Sequence, residues 1–288
     1  MASRWSDLDR PPLSQPRLAR AVTGGLWREL RVVERTASTN ADVAAVLTGG
    51  SDAGDGLVVV AEEQTAGRGR LGRSWSAPPR SSVLLSAGFL PTPPPDTWSL
   101  LPLLAGLAAA EALDRAGHVT ARLKWPNDLL VGGAKVGGIL SERVARPGGA
   151  PGVVLGIGVN VSVRAAELPT GAATSLVLAG GHTDREPLVA EMLRSLERHL
   201  TAWSDAAGRA DTVLPGYRAI CDTMGSDVVL ALPDGGRWRG SAVDVDHAGR
   251  LVVADGTGTR RSFSAGDVTH VRPPAATGGD DGSHPIAG

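Results

Sequence analysis

Lysine is nearly absent from this chain: of its 29 basic residues only Lys124 and Lys135 are lysine, and the rest are arginine. Where arginine is the default cation, a lysine is kept where a compact point charge serves and a planar guanidinium fork does not. Cysteine is reduced to Cys221, which excludes an internal disulfide, fits a reducing cytoplasm and reads as a small buried hydrophobe. Acidic residues are missing from Gln64 to Pro95, whereas Arg68, Arg70, Arg73 and Arg80 all fall in that stretch. An anionic ligand is therefore expected there rather than elsewhere on the surface. Long apolar runs are missing as well. Thr97 to Ala110 is too short to span a bilayer, and "MASRWSDLDRPPLSQPRLAR" contains no apolar core of a secretory signal. No membrane is expected, and a net charge of −1 gives no global reason to expect a nucleic-acid partner.

What is present suits an ordinary soluble protein: 288 residues, 42% of them hydrophobic, enough for one large or two modest domains with a buried core. Residues 1–25 are rich in proline and are expected to be flexible, with one short helix around Leu18. Strands are expected over "LRVVERT", "GLVVVAEEQ", "SVLLSAGFL", "ARLKWPNDLLV", "AKVGGILSERV" and "GVVLGIGVNV". Helices are expected over Ser38–Leu47, with Thr39 and Asp42 spaced as a capping box, over Trp98–Ala116 and over Pro187–Trp203, with a shorter one at "LPGYRAIC". After Cys221 the texture changes to five short strands separated by glycine turns, which suggests a small antiparallel barrel. The division expected is a catalytic domain over 26–220, a β-barrel over 221–272 and a disordered tail over 273–288. No repeat of fixed period is evident.

The stretch "AGRGRLGRSW" spells G-x-G-x-x-G through Gly67, Gly69 and Gly72, the letters of a dinucleotide fingerprint. Context rejects that reading, because Pro78 and Pro79 stand where the phosphate-binding helix would have to run, and no acid closes a following strand. The remaining reading is a glycine-hinged loop whose arginines close on a carboxylate and a phosphate together. The six histidines show no metal-ligand spacing, and no protein-built metal site is expected. Glu62 and Glu63 beside the loop read as ion-pair partners.

Together with "EEQTAGRGRLGRSW", the stretches "STN" (38–40), "KWPND" (124–128), "KVGGIL" (135–140) and "GIGVNV" (156–161) resemble, in order and rough spacing, the biotin protein ligases that charge biotin-dependent carboxylases. The resemblance covers about Val32 to Leu200, and the C-terminal barrel resembles that family's cap domain. It implies an α+β fold, a mixed sheet with helices packed on it in the manner of class II synthetases, plus a small SH3-like barrel. It also implies ATP with Mg2+ as co-substrate, biotin as substrate, biotinyl-5′-AMP as intermediate and a lysine of a biotin carboxyl carrier domain, from an acyl-CoA or pyruvate carboxylase, as acceptor. Carried over by position, Ser38, Thr39, Asn40 and Gln64 meet the biotin ring, and Gly67, Arg68, Gly69 and Arg70 wrap its chain and carboxylate, with Gly138 leaving room. Arg70, Arg73, Trp75, Lys124, Asn127, Asp128, Lys135 and Asn160 fall on the ATP side, with Trp75 against the adenine. Lys135 is the family's catalytic lysine, assisted by Arg70, and it also reaches biotin.

Some members of the family carry an N-terminal winged helix-turn-helix. Here about three dozen residues precede "STN" and contain no pair of amphipathic helices, so the short form without DNA binding is expected. The nearest alternatives are a lipoate-protein ligase and a biotin-sensing transcriptional regulator. The first would not show GRGRxGR-x-W, and the second needs a DNA-reading helix. A monomer and a weak homodimer both remain open, and the role of the barrel is open too.

Overall fold

The computed structural model describes residues 10–49, 54–232, 235–264 and 266–270. Residues 1–9 and the expected disordered tail at 273–288 lie outside the described residues. The chain runs through α1 (Gln15–Val22), β1 (Glu29–Val33), α2 (Thr39–Thr48), β2 (Leu57–Ala61), β3 (Gly67–Arg68), β4 (Ser74–Trp75), β5 (Ser82–Phe89) and α3 (Leu101–Arg115). It continues through β6 (Arg122–Lys124), β7 (Asp128–Val131), β8 (Ala134–Val144), β9 (Gly152–Asn160), α4 (Arg185–Asp205) and α5 (Leu214–Ile220). The last strands are β10 (Asp227–Ala231), β11 (Arg237–Val245), β12 (Leu251–Ala254), β13 (Arg260–Phe263) and β14 (Asp267–His270).

The fold is α+β. Seven strands form one sheet in the order β1-β2-β5-β9-β8-β7-β6, with β1 parallel to β2 and every other pairing antiparallel. Alternation along the strands divides its two faces. Val83, Leu85 and Ala87 of β5 and Leu155, Ile157 and Val159 of β9 face the main core with Leu104 and Ala108 of α3 and Leu193 and Leu196 of α4. Helix α3 is apolar nearly all round and is correspondingly buried on almost every side. On the opposite face Val59 and Val154 pack beneath Val43 and Leu47 of α2. Beyond the end of α2 that face carries Gly156 and Gly158 and is left bare, which opens a cleft.

The second sheet, β13-β12-β11-β10-β14, is wholly antiparallel and occupies the segment expected to form the barrel. Val228, Leu230, Ala242, Leu251, Val253 and Phe263 make its buried face. A bulge between Ala242 and Asp244 bends β11. Among the described residues no helix is long and apolar enough to cross a membrane.

Four local expectations are corrected. The segment read as flexible is docked from residue 10 onward: Leu18 of α1 is buried, and Arg10 pairs with Glu167 at 2.6 Å. The anchor beneath it is the Arg185–Glu62 ion pair, 2.7 Å long and buried on both sides; Arg185 also donates to Pro11 O, and Leu13 N donates to Glu62. The capping box is not formed. Ser38 is the N-cap and makes no side-chain cap bond, because the Thr39 hydroxyl lies instead among Gln64 and Ser86. Helix α3 starts at Leu101 rather than at Trp98, with Pro102 in its first turn, where a missing N–H costs nothing. "ARLKWPNDLLV" is a hairpin, not one strand: β6 and β7 pair Lys124 with Asp128 across a turn at 125–127 that contains a cis Trp125–Pro126 bond.

Candidate active site

The glycine loop is a hairpin and not the mouth of a helix. Gly67 pairs with Trp75 and Arg68 with Ser74, and Gly69 N donates to Arg73 O at 2.7 Å. Gly67 has no space for a side chain, since a Cβ there would sit 2.5 Å from Trp75 O. At the tip, Leu71 is exposed with a φ of 55°. Arg73 forms an ion pair with Asp267 of the second sheet, which ties the loop to the C-terminal part.

Beneath the hairpin lies a cavity of about 370 Å³. Of the residues singled out from the sequence, Ser38, Thr39, Asn40, Gln64, Arg68, Gly69, Arg70, Arg73, Trp75, Lys124, Asn127, Asp128, Lys135 and Gly138 line it. Gly67 and Asn160 do not. Gly67 supports the hairpin, and Asn160, buried at the end of β9, donates to Thr174 O at 3.0 Å and so holds the segment that flanks Lys135.

The floor is bare sheet. In register across the strands, Leu140, Gly156 and Ser86 form one row, and Gly138, Gly158 and Leu84 the next. A Cβ on Gly156 would lie 2.2 Å from Asn40 Oδ1, and one on Gly158 would lie 3.0 Å from the Trp75 ring. The two glycines thus seat Asn40 at one end of the cavity and the Trp75 indole at the other.

Register also explains the K-x-x-G spacing. In a regular strand residues 135 and 138 point to opposite faces. The bulge opposite Leu129 and Leu130 shifts the pairing so that Leu130 meets Lys135 while Leu129 meets Gly137. Lys135 and Gly138 consequently line the same cavity. The backbone of Lys135 is fixed by bonds to Ala172 O and from Thr174 N, and its Nζ donates to Asp128 Oδ1 at 2.5 Å.

Positive charge converges at this end. Arg70 donates to Asn127 Oδ1 at 3.2 Å, and Asn127 donates onward to Ile139 O. Burial holds the Arg70 guanidinium below its ordinary pKa, partly offset by Asp128. Burial likewise lowers Lys124, again opposed by Asp128, while Lys135 adds to the lowering. Cations kept partly desolvated in a concave site are poised to be repaid by an anion. The turn between Lys124 and Asp128 is pinned from the C-terminal part: Trp125 N donates to Thr223 Oγ1 at 3.0 Å, and its indole N–H donates to Gly249 O at 3.0 Å.

At the opposite end the side chains are polar and uncharged. Gln64 Oε1 accepts from Thr39 N at 2.8 Å, and Ser86 Oγ lies 2.7 Å from Thr39 Oγ1 and 2.5 Å from Asn40 Oδ1. Sequence reasoning missed Ser86 and Glu142, which hold Asn40, gave no role to Gly156 and Gly158 within "GIGVNV", and missed Asp267–Thr269. The first four are placed by strand register alone. The last three line the cavity from the second sheet, which no local signal could have connected to it. Glu62 and Glu63 are both paired, with Arg185 and Arg35.

A cation-lined pocket of ligand size on a mixed sheet, roofed by an arginine hairpin, defines a small-acid ligase domain of the biotin/lipoate type. Residues 32–160 match the Biotin/lipoate A/B protein ligase family, and residues 223–271 match the Biotin protein ligase C terminal domain. The chain is 41% identical over 269 residues to the biotin--[acetyl-CoA-carboxylase] ligase of Mycobacterium tuberculosis, covering 91% of this chain and 97% of that protein. It is 30% identical to the bifunctional ligase/repressor BirA of Bacillus subtilis, covering 75% of this chain and 66% of that one. Among solved structures, the biotin protein ligase of Aquifex aeolicus in complex with biotin and ATP superposes with a TM-score of 0.71 at 25% identity, over 86% of this chain and all of that one. The chain belongs to the biotin protein ligase family.

Proposed function

We propose that this protein joins biotin to ATP to form biotinyl-5′-AMP and then passes the biotinyl group to a lysine of a biotin carboxyl carrier domain. The observation that carries this reading is the two-ended cavity: uncharged hydrogen-bonding groups at Thr39, Asn40 and Gln64, and Arg70, Lys124 and Lys135 at the other end. A ligand with a polar, uncharged ring and a carboxylate, lying beside a triphosphate, matches both ends. The same division supports our assignment of the roles of Ser38, Thr39, Asn40 and Gln64 toward biotin and of Arg73, Trp75, Lys124 and Asn127 toward ATP.

In the first step the biotin carboxylate attacks the α-phosphorus and pyrophosphate leaves. The carboxylate is ionised at neutral pH, so no general base is needed. The requirement is to hold two anions together and to stabilise charge gathering on the phosphoryl oxygens. Lys135 and Arg70 are assigned that task, and Asp128 orients the Lys135 ammonium. Magnesium fits this donor set. Mg2+ takes one or two carboxylates along with phosphate oxygens and water, and Asp128 beside Asn127 would hold it, neutralising phosphate charge when bound. In the second step the acceptor lysine, once its ammonium has given up a proton to solvent, attacks the biotinyl carbonyl, the bond to the phosphate oxygen breaks and AMP departs, while the hairpin roof keeps water from the mixed anhydride. The acceptors in this reading are carrier domains of acyl-CoA or pyruvate carboxylases, and the single cysteine is compatible with a reducing, cytoplasmic setting.

The test is transfer of radiolabel from biotin, with ATP, onto an isolated carrier domain, run beside labelled lipoate. Label arriving from biotin alone supports the assignment, and label arriving from lipoate or from neither overturns it.

A further inference from the structure

Glu142 is a carboxylate behind Asn40 and beside the arginine hairpin, outside the lining of the cavity, and neither chemical step uses it. It follows Gly138 and Leu140 at period two on the same face of β8, and it accepts from Asn40 Nδ2 at 2.6 Å. That bond fixes the Asn40 amide, because turning it over would set Oδ1 against a carboxylate oxygen. With nitrogen toward Glu142, Asn40 Oδ1 faces Ser86 Oγ at 2.5 Å.

The consequence runs along a chain of oxygens. Asn40 Oδ1 can only accept, so the Ser86 hydroxyl gives its proton there. Ser86 Oγ is also directed as donor to Thr39 Oγ1 at 2.7 Å, so its one proton faces two acceptors. Thr39 Oγ1 in turn lies 3.0 Å from Gln64 Oε1, a carbonyl oxygen already receiving the Thr39 backbone N–H. Three oxygen–oxygen contacts therefore share two hydroxyl protons. The chain is one donor short, and Thr39, Asn40 and Gln64 all line the cavity.

We propose that Glu142 is a positioning residue that sets the polarity of this chain, making the uncharged end of the cavity an acceptor for the N–H groups of a cyclic urea. The proposal rests on the biotin reading above and deepens it. A ring with N–H donors completes the chain, whereas a dithiolane, which has none, leaves it deficient, and buried polar groups left unpaired are what reject a near-miss substrate. Gly156 belongs to the same device, since only bare backbone there lets Asn40 lie between Glu142 and Ser86.

The test compares Glu142→Gln, whose amide can meet Asn40 in either orientation, with Glu142→Asp, which keeps the carboxylate. Pyrophosphate release is measured with biotin and ATP varied in turn. Glu142→Gln should raise the biotin KM at least tenfold while the ATP KM and kcat stay within about twofold of wild type, and Glu142→Asp should raise it no more than about threefold. A biotin KM raised less than tenfold in Glu142→Gln overturns the proposal. So does an ATP KM that rises in parallel, an aspartate variant as impaired as the glutamine one, or a glutamine variant that does not fold. If the wild-type protein releases no pyrophosphate on addition of biotin, the biotin reading itself fails, which is a separate result.

Discussion

Two glycines on one strand should, when filled, damage two different substrates. Gly156 and Gly158 lie two residues apart on the cavity face of β9, in register with Leu140 and Gly138 of β8. A methyl on Gly156 would stand 2.2 Å from Asn40 Oδ1 and 3.0 Å from its Cγ. Asn40 cannot yield without losing its bonds to Glu142 and Ser86, of which the first is to a charged group. Overpacking of this kind costs about 1–3 kcal/mol, or roughly 5- to 150-fold in affinity. A methyl on Gly158 would stand 3.0 Å from the Trp75 ring, which can shift by some tenths of an ångström and so should cost toward the lower end of that range. Steady-state pyrophosphate release with each substrate varied in turn separates the two. Gly156→Ala should raise the biotin KM by about 10- to 100-fold and leave the ATP KM nearly unchanged, whereas Gly158→Ala should raise the ATP KM. If both variants raise the same KM, or if Gly156→Ala leaves the biotin KM within about twofold, the two-ended description of the cavity is wrong.

Further expectations concern charge. Removing Arg185 strands Glu62 in the interior, and Arg185→Ala should cost about 3–5 kcal/mol of stability, read as a lower denaturant midpoint with unchanged slope. Burial lowers the pKa of Lys124, so its charge is lost at a lower pH than an exposed lysine's as pH rises. The ATP KM should rise as that charge is lost, and Lys124→Arg, which stays protonated, should flatten the profile whatever its KM at neutral pH. Asp267→Asn loosens the hairpin roof at Arg73, and more pyrophosphate should then be released per biotinyl group transferred; an unchanged ratio would show that the ion pair does not help seal the site.

Features that rest on local chemistry were readable from the sequence. The prolines after the glycine loop excluded a dinucleotide helix, and the chain there is a hairpin. Apolar spacing around Leu188, Met192 and Leu196 anticipated α4, and the two surviving lysines both reached the cavity. What stayed hidden rests on distant pairing. The proline-rich start gave no sign that Arg185, more than a hundred residues away in sequence, would clamp it. Ser86 and Glu142 meet Asn40 beside the site only because strand order brings β5, β9 and β8 side by side. The shift at β8 that aims Lys135 has no signature of its own in "KVGGIL".

Lys135 and Arg70, which both line this cavity, are proposed to catalyse the adenylation of biotin there. ATP–pyrophosphate exchange tests this role most directly, measured for the wild type and for Lys135→Ala, with biotin, with lipoate and with neither. Exchange should require biotin, and the variant should lose on the order of a hundredfold or more of the rate. Exchange supported equally by lipoate, or a variant near the wild-type rate, would contradict the proposed role.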